Sequence, residues 1–261
     1  MSTDTGAHGD TGSFRLPHSI ELAWGTGERP RRGPKPGLTL ERIVAAGIKV
    51  ALTDGLGSVS MGRVAAELGG STMSLYRYVP AKDDLLTLMV DTALGGAPGA
   101  HLPGDGWRAG LTRWAVAVRA AYRRHTWALR VPITAPPIGP NNVAWLDDAL
   151  QCLAGSPLTE QQKLSAVLLI SGFVRNEATL TADIAASNPN APVMPGYGAV
   201  LSRLVGPDRF PGLQRAIASG ALDDDDDLDA EFEFGLARIL DGLGLLIASA
   251  GQSPPSAPAV S

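Results

Sequence analysis

The sequence predicts an all-α protein: an N-terminal three-helix domain of helix-turn-helix type, followed by a larger helical domain. Three observations predict it. The stretch Ser60–Lys82, SMGRVAAELGGSTMSLYRYVPAK, reads as two short helices joined by a tight turn. Apolar residues recur at helical spacing across Leu40–Ala51, Leu85–Ala93, Leu111–Tyr122 and Phe232–Ile247. Clusters of proline and glycine at 28–37, 95–106, 132–140 and 187–198 separate these runs.

The chain begins with residues 1–37, read as a flexible extension. Its apolar patch Phe14–Trp24 either packs on the body or forms a short sticky segment, and the residues do not decide between the two. ERPRRGPKPG, residues 28–37, is too rich in proline for a helix. Arg29, Arg31, Arg32 and Lys35 on such an extended arm suit a narrow, negative DNA minor groove. The plainer reading is a solvated basic tail with only non-specific attraction.

Residues 38–94 form the first domain. Leu40, Ile43, Val44, Gly47, Ile48 and Ala51 give its first helix an inner face. Ser60 caps the second helix, because a serine oxygen accepts from a free first-turn amide. Gly69-Gly70 stops that helix, glycine entering the left-handed conformation without steric cost. Ser71 or Thr72 caps the third, on which Leu75 and Val79 point inward. Pro80 ends it by restricting Val79. The outward side is polar, aromatic and basic, as a face entering a DNA major groove requires. Its candidate DNA contacts are Ser60, Arg63, Ser71, Thr72, Met73, Ser74, Tyr76, Arg77, Tyr78 and Lys82. Asp83 and Asp84 then favour a helix start through the macrodipole. That helix, carrying Leu85, Leu86, Met89, Val90 and Ala93, links the first domain to the second.

The run LERIVAAGIKVALTDGLGSVSMGRVAAELGGSTMSLYRYVPAKDDLLTLMVD resembles the DNA-binding domain of the tetracycline-repressor (TetR) family of bacterial regulators, and covers nearly all of it. The resemblance implies a homodimer that places two recognition helices on a near-palindromic operator in double-stranded DNA, with a small-molecule effector bound in the C-terminal domain. One position departs. Many relatives carry a base-contacting arginine where this chain has Gly62, so the role of that arginine is given up, or passed to Arg63 or to the arm.

Charge supports a polyanionic partner at one end. The net charge is -4, but residues 29–82 hold nine Lys or Arg against three acids, a local +6, while residues 83–261 hold twelve against nineteen. The single cysteine, Cys152, permits no disulfide within the chain and reads as a small buried hydrophobe. The sequence shows no signal peptide, and no apolar run comes close to the length of a membrane span. A cytoplasmic protein with no membrane partner is expected.

Residues 95–251 form the second domain and 252–261 a disordered tail. A helix over Trp107–His125 has Leu111, Trp114, Ala115, Val118 and Tyr122 on one side and a set of arginines elsewhere, read as a solvated face. Asn141 or Asn142 caps the helix that follows. TEQQ at 159–162 resembles a capping box and opens a helix to Ser187. Ala166–Ile170 leaves that helix no polar face, so a second subunit is expected to cover part of it. Residues 107–250 also resemble the family's effector-binding domain, through Trp107, the region of Phe173 and EFEFGLARILDGL at 231–243. In the family, the two corresponding helices of each subunit build a four-helix dimer interface. This assigns Leu168, Phe232, Leu236, Ile239, Leu240, Leu243 and Ile247 to an interface.

No catalytic constellation holds: the four histidines lack metal-ligand spacing, and there is no phosphate-binding glycine loop. A regulator, not an enzyme, is expected, with neither cofactor nor metal. Where the family's founding repressor has a metal-chelating histidine this chain has Val131-Pro132-Ile133, so a tetracycline–magnesium ligand is not implied. His125 reads as a dipole partner at a helix C-terminus. Asp223–Asp227 reads as a solvated loop rather than a metal site. Met89, Trp107, Trp114, Val118, Trp145, Leu169 and Phe173, with Asn176 and Glu177 as polar contacts, either line a pocket for a bulky apolar or polyketide-like molecule or are ordinary core. The alternative for the second domain is a protein partner in place of a small ligand.

Overall fold

Thr39 and Ser60 open two helices in the same way, each side-chain oxygen accepting from the amide three residues on, Arg42 at 3.3 Å and Arg63 at 3.2 Å. Such a cap contributes about 1 kcal/mol. These helices belong to a computed structural model that describes residues 16–26, 38–134, 136–187, 196–206, 209–222 and 228–252. The candidate arm residues Arg29, Arg31, Arg32 and Lys35 lie outside the described residues, as do Asp223–Asp227 and the tail from 253. The described residues form α-helices and short 3-10 turns, with no strand among them. The helices are α1 (His18–Ala23), α2 (Leu40–Asp54), α3 (Met61–Glu67), α4 (Thr72–Tyr76), α5 (Lys82–Leu94) and α6 (Trp107–Arg124). They continue as α7 (Pro140–Cys152), α8 (Glu160–Ser187), α9 (Tyr197–Leu204), α10 (Pro211–Ala218) and α11 (Leu228–Gln252).

Two units are present: residues up to Gly95 together with Arg130–Val143, and Gly96–Leu129 together with the chain from Ala144 onward. In the first unit Ile43, Val50, Val59, Val64, Leu75, Val79 and Leu85 are fully buried. Burying each such side chain stabilises by about 1.5–3 kcal/mol. α2 meets α5 closely at Gly47, where a Cβ would stand 2.7 Å from Met89 Sδ. Gly69 takes φ 63° past the end of α3, as the turn requires.

Two expectations for this unit are corrected. Residues 18–23 are not part of a flexible extension: they form α1, with Ile20 buried, and the Trp24 indole N–H donates to the Ile138 carbonyl at 2.8 Å. Asn141 and Asn142 do not cap α7 but lie within its first turn. The cap is Asp91 of α5, only 2 % exposed, whose oxygens accept from the backbone amides of Asn141 and Asn142 and from both side-chain amides.

In the second unit α8 packs against α6 and α11. Thr159 and Gln162 form the expected reciprocal box, the Thr159 amide donating to Gln162 Oε1 at 2.9 Å and the Gln162 amide to Thr159 Oγ1 at 3.2 Å. A Cβ on Gly110 would stand 2.7 Å from Cys152 Sγ, so glycine sets how close α6 comes to α7. Burial, with Asp148 nearby, pushes the Cys152 thiol up to about 11, so it stays protonated and inert. By length and composition α11 is apolar enough to cross a membrane, contrary to the expectation that no segment is. Its stripe Phe232, Leu236, Leu240 and Leu243 is buried within the unit.

Candidate functional site

α4 is only five residues long, and its orientation is set from below by Leu75 and Val79, both fully buried. That leaves Met73, 74 % exposed, with Tyr76 and Arg77 on the outside. Thr72 and Ser74 are half-buried between them, and Ser74 Oγ pairs with Ser71 Oγ at 3.0 Å. Lys82 stands exposed at the start of α5. Ser60 spends its oxygen on the α3 cap. Gly62 is exposed, and a Cβ there would meet nothing closer than Ser60 Oγ at 4.0 Å.

Two candidates in this set are corrected. The Tyr78 hydroxyl is not offered outward: it donates to the Leu38 carbonyl at 2.9 Å and ties the end of α4 to the start of α2. Arg63 is held in the unit by its own ion pairs. Its Nε and Nη2 donate to Asp54 Oδ2 at 3.1 and 2.9 Å, and its Nη1 to Glu67 Oε2 at 3.2 Å, while Lys49 also pairs with Glu67. The hydrogen bonds that Arg63 donates to Asp54 and Glu67 raise its pKa.

The nine candidate ligand residues have different surroundings within their own units. Met89 fills the α2–α5 contact of the first unit. Trp114 and Trp145 are core: the rings meet edge to face at 6.1 Å, and Trp114 Nε1 donates to the Trp145 carbonyl at 2.8 Å. Val118 is buried on the same side of α6, and Trp107 lies against Gly244 of α11. Asn176 is exposed. Leu169, 60 % exposed, and Phe173 line an open apolar groove with Ser165, Leu168, Gly172 and Ile239. Phe173 also stacks on Phe232 at 5.7 Å, and a Cβ at Gly235 would stand 2.6 Å from its ring.

Glu177 is an ion-pair partner of Arg119. It takes Arg119 Nε at 2.7 Å, while Arg119 Nη1 donates to Asp229 Oδ1 at 2.7 Å and Nη2 to the Leu228 carbonyl at 2.9 Å. Arg119 is thus no member of a solvated face. It is 6 % exposed, lies 4.2 Å over the Phe232 ring, and joins α6, α8 and α11. Burial disfavours its charge, but Glu177 and Asp229 outweigh that and raise its pKa. Sequence reasoning missed this junction, whose signal was an arginine at a position flanked by the apolar face of α6.

The candidate interface also divides. Phe232, Leu236, Leu240 and Leu243 point into the unit's own core, beneath α8, and cannot be an outer surface. Ile239 and Ile247 are half-buried. Leu168, 73 % exposed, Leu169, Phe234, Leu245 and Leu246 are among the large apolar side chains that α8 and α11 leave exposed.

The family model described as "Tetracyclin repressor-like, C-terminal domain" matches residues 99–247, more than half of the chain. An HTH-type transcriptional repressor from Streptomyces coeruleorubidus, DrrR1, is 38 % identical over 267 aligned positions, covering 97 % of each chain. The chain belongs to the TetR family. Solved structures agree with that membership. Apo ActR from Streptomyces coelicolor superposes with a TM-score of 0.70 at 27 % identity, covering 84 % of this chain and 100 % of that one. ActR in complex with actinorhodin gives 0.71 at 28 %, covering 83 % and 100 %. The α3–α4 pair is therefore the helix-turn-helix of a TetR-family regulator, and residues 99–247 match the family's C-terminal domain.

Proposed function

We propose that this TetR-family protein is a transcriptional repressor that binds a near-palindromic operator as a homodimer and leaves it when a bulky aromatic small molecule binds the C-terminal domain. The observation that carries the DNA-reading part is α4, whose inward residues Leu75 and Val79 are wholly buried while Met73, Tyr76 and Arg77 project. On this reading Tyr76 and Arg77 reach phosphates and Thr72, Met73 and Ser74 face base edges. On the same reading a dimer covers Leu168, Leu169, Phe234 and Leu245, large apolar side chains each more than half exposed. Repression is supported by the name of the S. coeruleorubidus relative, and a ligand-responsive body by the ActR–actinorhodin complex. The effector must favour a conformer that DNA does not, or nothing is released. Selection from random duplexes tests the proposal. It should enrich two half-sites about 34–36 Å, one turn of DNA, apart; enrichment of unpaired half-sites would contradict dimeric reading.

A further inference from the structure

Most of the outward side of α4 is built for hydrogen bonds, and one side chain is not. Thr72 and Ser74 carry hydroxyls, Tyr76 a phenol and Arg77 a guanidinium, but between the two hydroxyl residues stands Met73, 74 % exposed. Leu75 and Val79, both fully buried, fix the rotation of the helix and so hold Met73 on the outside. The other methionines among the described residues are inside: Met61 is 7 % exposed and Met89 0 %. Tyr76 follows three positions on, so the thioether and an exposed aromatic ring share one side of the helix. A thioether gains nothing in water; against a base edge it does. In the major groove thymine offers an apolar group, its C5-methyl, beside the O4 acceptor. Methionine is unbranched and polarizable, so it adapts to such a group.

We propose that Met73 packs on a thymine methyl of the operator and is an oxidation site through which peroxides weaken DNA binding. The proposal rests on the reading of α4 as the DNA-facing helix. The thioether sulfur attacks one oxygen of hydrogen peroxide. An S–O bond forms, the O–O bond breaks, and the other oxygen leaves as water after proton transfer. Sulfur gives up two electrons and the peroxide is reduced. The product, methionine sulfoxide, is polar where the thioether was apolar. Its oxygen accepts hydrogen bonds and donates none, while the thymine edge offers a methyl and another acceptor, so neither group satisfies it. Reaction at Met73 leaves the core untouched, since this side chain is not part of it, and burial shields Met61 and Met89. Methionine sulfoxide reductases reverse the change.

The test uses the full-length protein on the duplex recovered by selection, with hydrogen peroxide as oxidant and fluorescence anisotropy as readout. Tryptic digestion isolates Met73 in the fragment Val64–Arg77, apart from Met61 and Met89, so mass spectrometry follows it alone. Peroxide should add an oxygen to that fragment ahead of those carrying Met61 and Met89. With Met73 converted, affinity should fall about tenfold at an unchanged melting temperature, and methionine sulfoxide reductase should restore it. Met73→Leu, measured against its own untreated affinity, should lose nothing under the same treatment. Replacing thymine by uracil, one position at a time, removes single methyls. One position in each half-site should cost the wild-type protein about fourfold and cost Met73→Ala nothing. Unchanged affinity with Met73 fully oxidised would overturn the proposal, as would an equal fall in Met73→Leu or uracil effects that persist in Met73→Ala. If Thr72→Ala and Tyr76→Phe still weaken binding in that case, α4 reads DNA and only the role of Met73 is wrong.

Discussion

Asp91 holds Asn142 at two points: its Oδ1 accepts from the Asn142 backbone amide at 2.8 Å and from the side-chain amide at 2.7 Å. A carboxylate of α5 thereby closes the N-terminus of α7, where the free amides and the helix dipole both favour negative charge. Gly139 lies against it so closely that a Cβ would stand 2.1 Å from Oδ1.

Asp91→Ala should therefore leave buried amides unpaired and cost about 1–3 kcal/mol. Gly139→Ala should cost at least as much, because backbone or carboxylate must shift. Denaturant midpoints at constant m-value check both. A Gly139→Ala protein as stable as wild type would show that the loop yields freely.

The caps that were legible are local. Ser60 and the Thr159–Gln162 box each span three residues, so the pattern and the contact coincide. The Asp91 cap joins residues fifty positions apart, and the Tyr78–Leu38 bond forty, so neither leaves a periodic trace. Arg119 looks like a solvated residue until Glu177 and Asp229 arrive from two other helices. For α11, an apolar stripe shows that something covers it but not what. The structure assigns Phe232, Leu236, Leu240 and Leu243 to the core and leaves Phe234 and Leu245 outside.

That division separates two kinds of variant. Leu240→Glu should unfold the protein by burying an unpaired charge. Leu168→Glu and Leu245→Glu should instead give folded monomers in sedimentation, with operator affinity reduced. Native dimers in both would place the interface elsewhere.

The arm is best tested by charge removal and not by deletion, because α1 and Trp24 pack into the first unit and truncation would take them away. Replacing Arg29, Arg31, Arg32 and Lys35 with alanine should weaken operator binding. It should also flatten the plot of log affinity against log salt by roughly 0.9 units for each phosphate no longer neutralised. Equal slopes would make the segment a passive tail.

His125 also gives a pH dependence. Its pKa is lowered in the folded protein by burial and by Arg124, so the unfolded chain binds more protons across that interval. Its contribution to stability is full above the ordinary histidine range near pH 6.5 and is lost as pH falls below it. The wild-type melting temperature should drop more steeply than that of His125→Leu between neutral pH and about pH 5. Parallel curves would mean the imidazole titrates alike in both states.

The claim on which the rest depends is that the exposed face of α4 reads DNA. The most direct measurement is the affinity of Thr72→Ala and Tyr76→Phe for the selected duplex, by fluorescence anisotropy, with melting temperatures recorded alongside. Both side chains reach the surface without carrying the core, which Leu75 and Val79 supply. Each variant should bind about five- to tenfold more weakly, as the loss of one hydrogen bond to a base or phosphate implies, and should melt with the wild type. Wild-type affinity in both proteins would contradict the account.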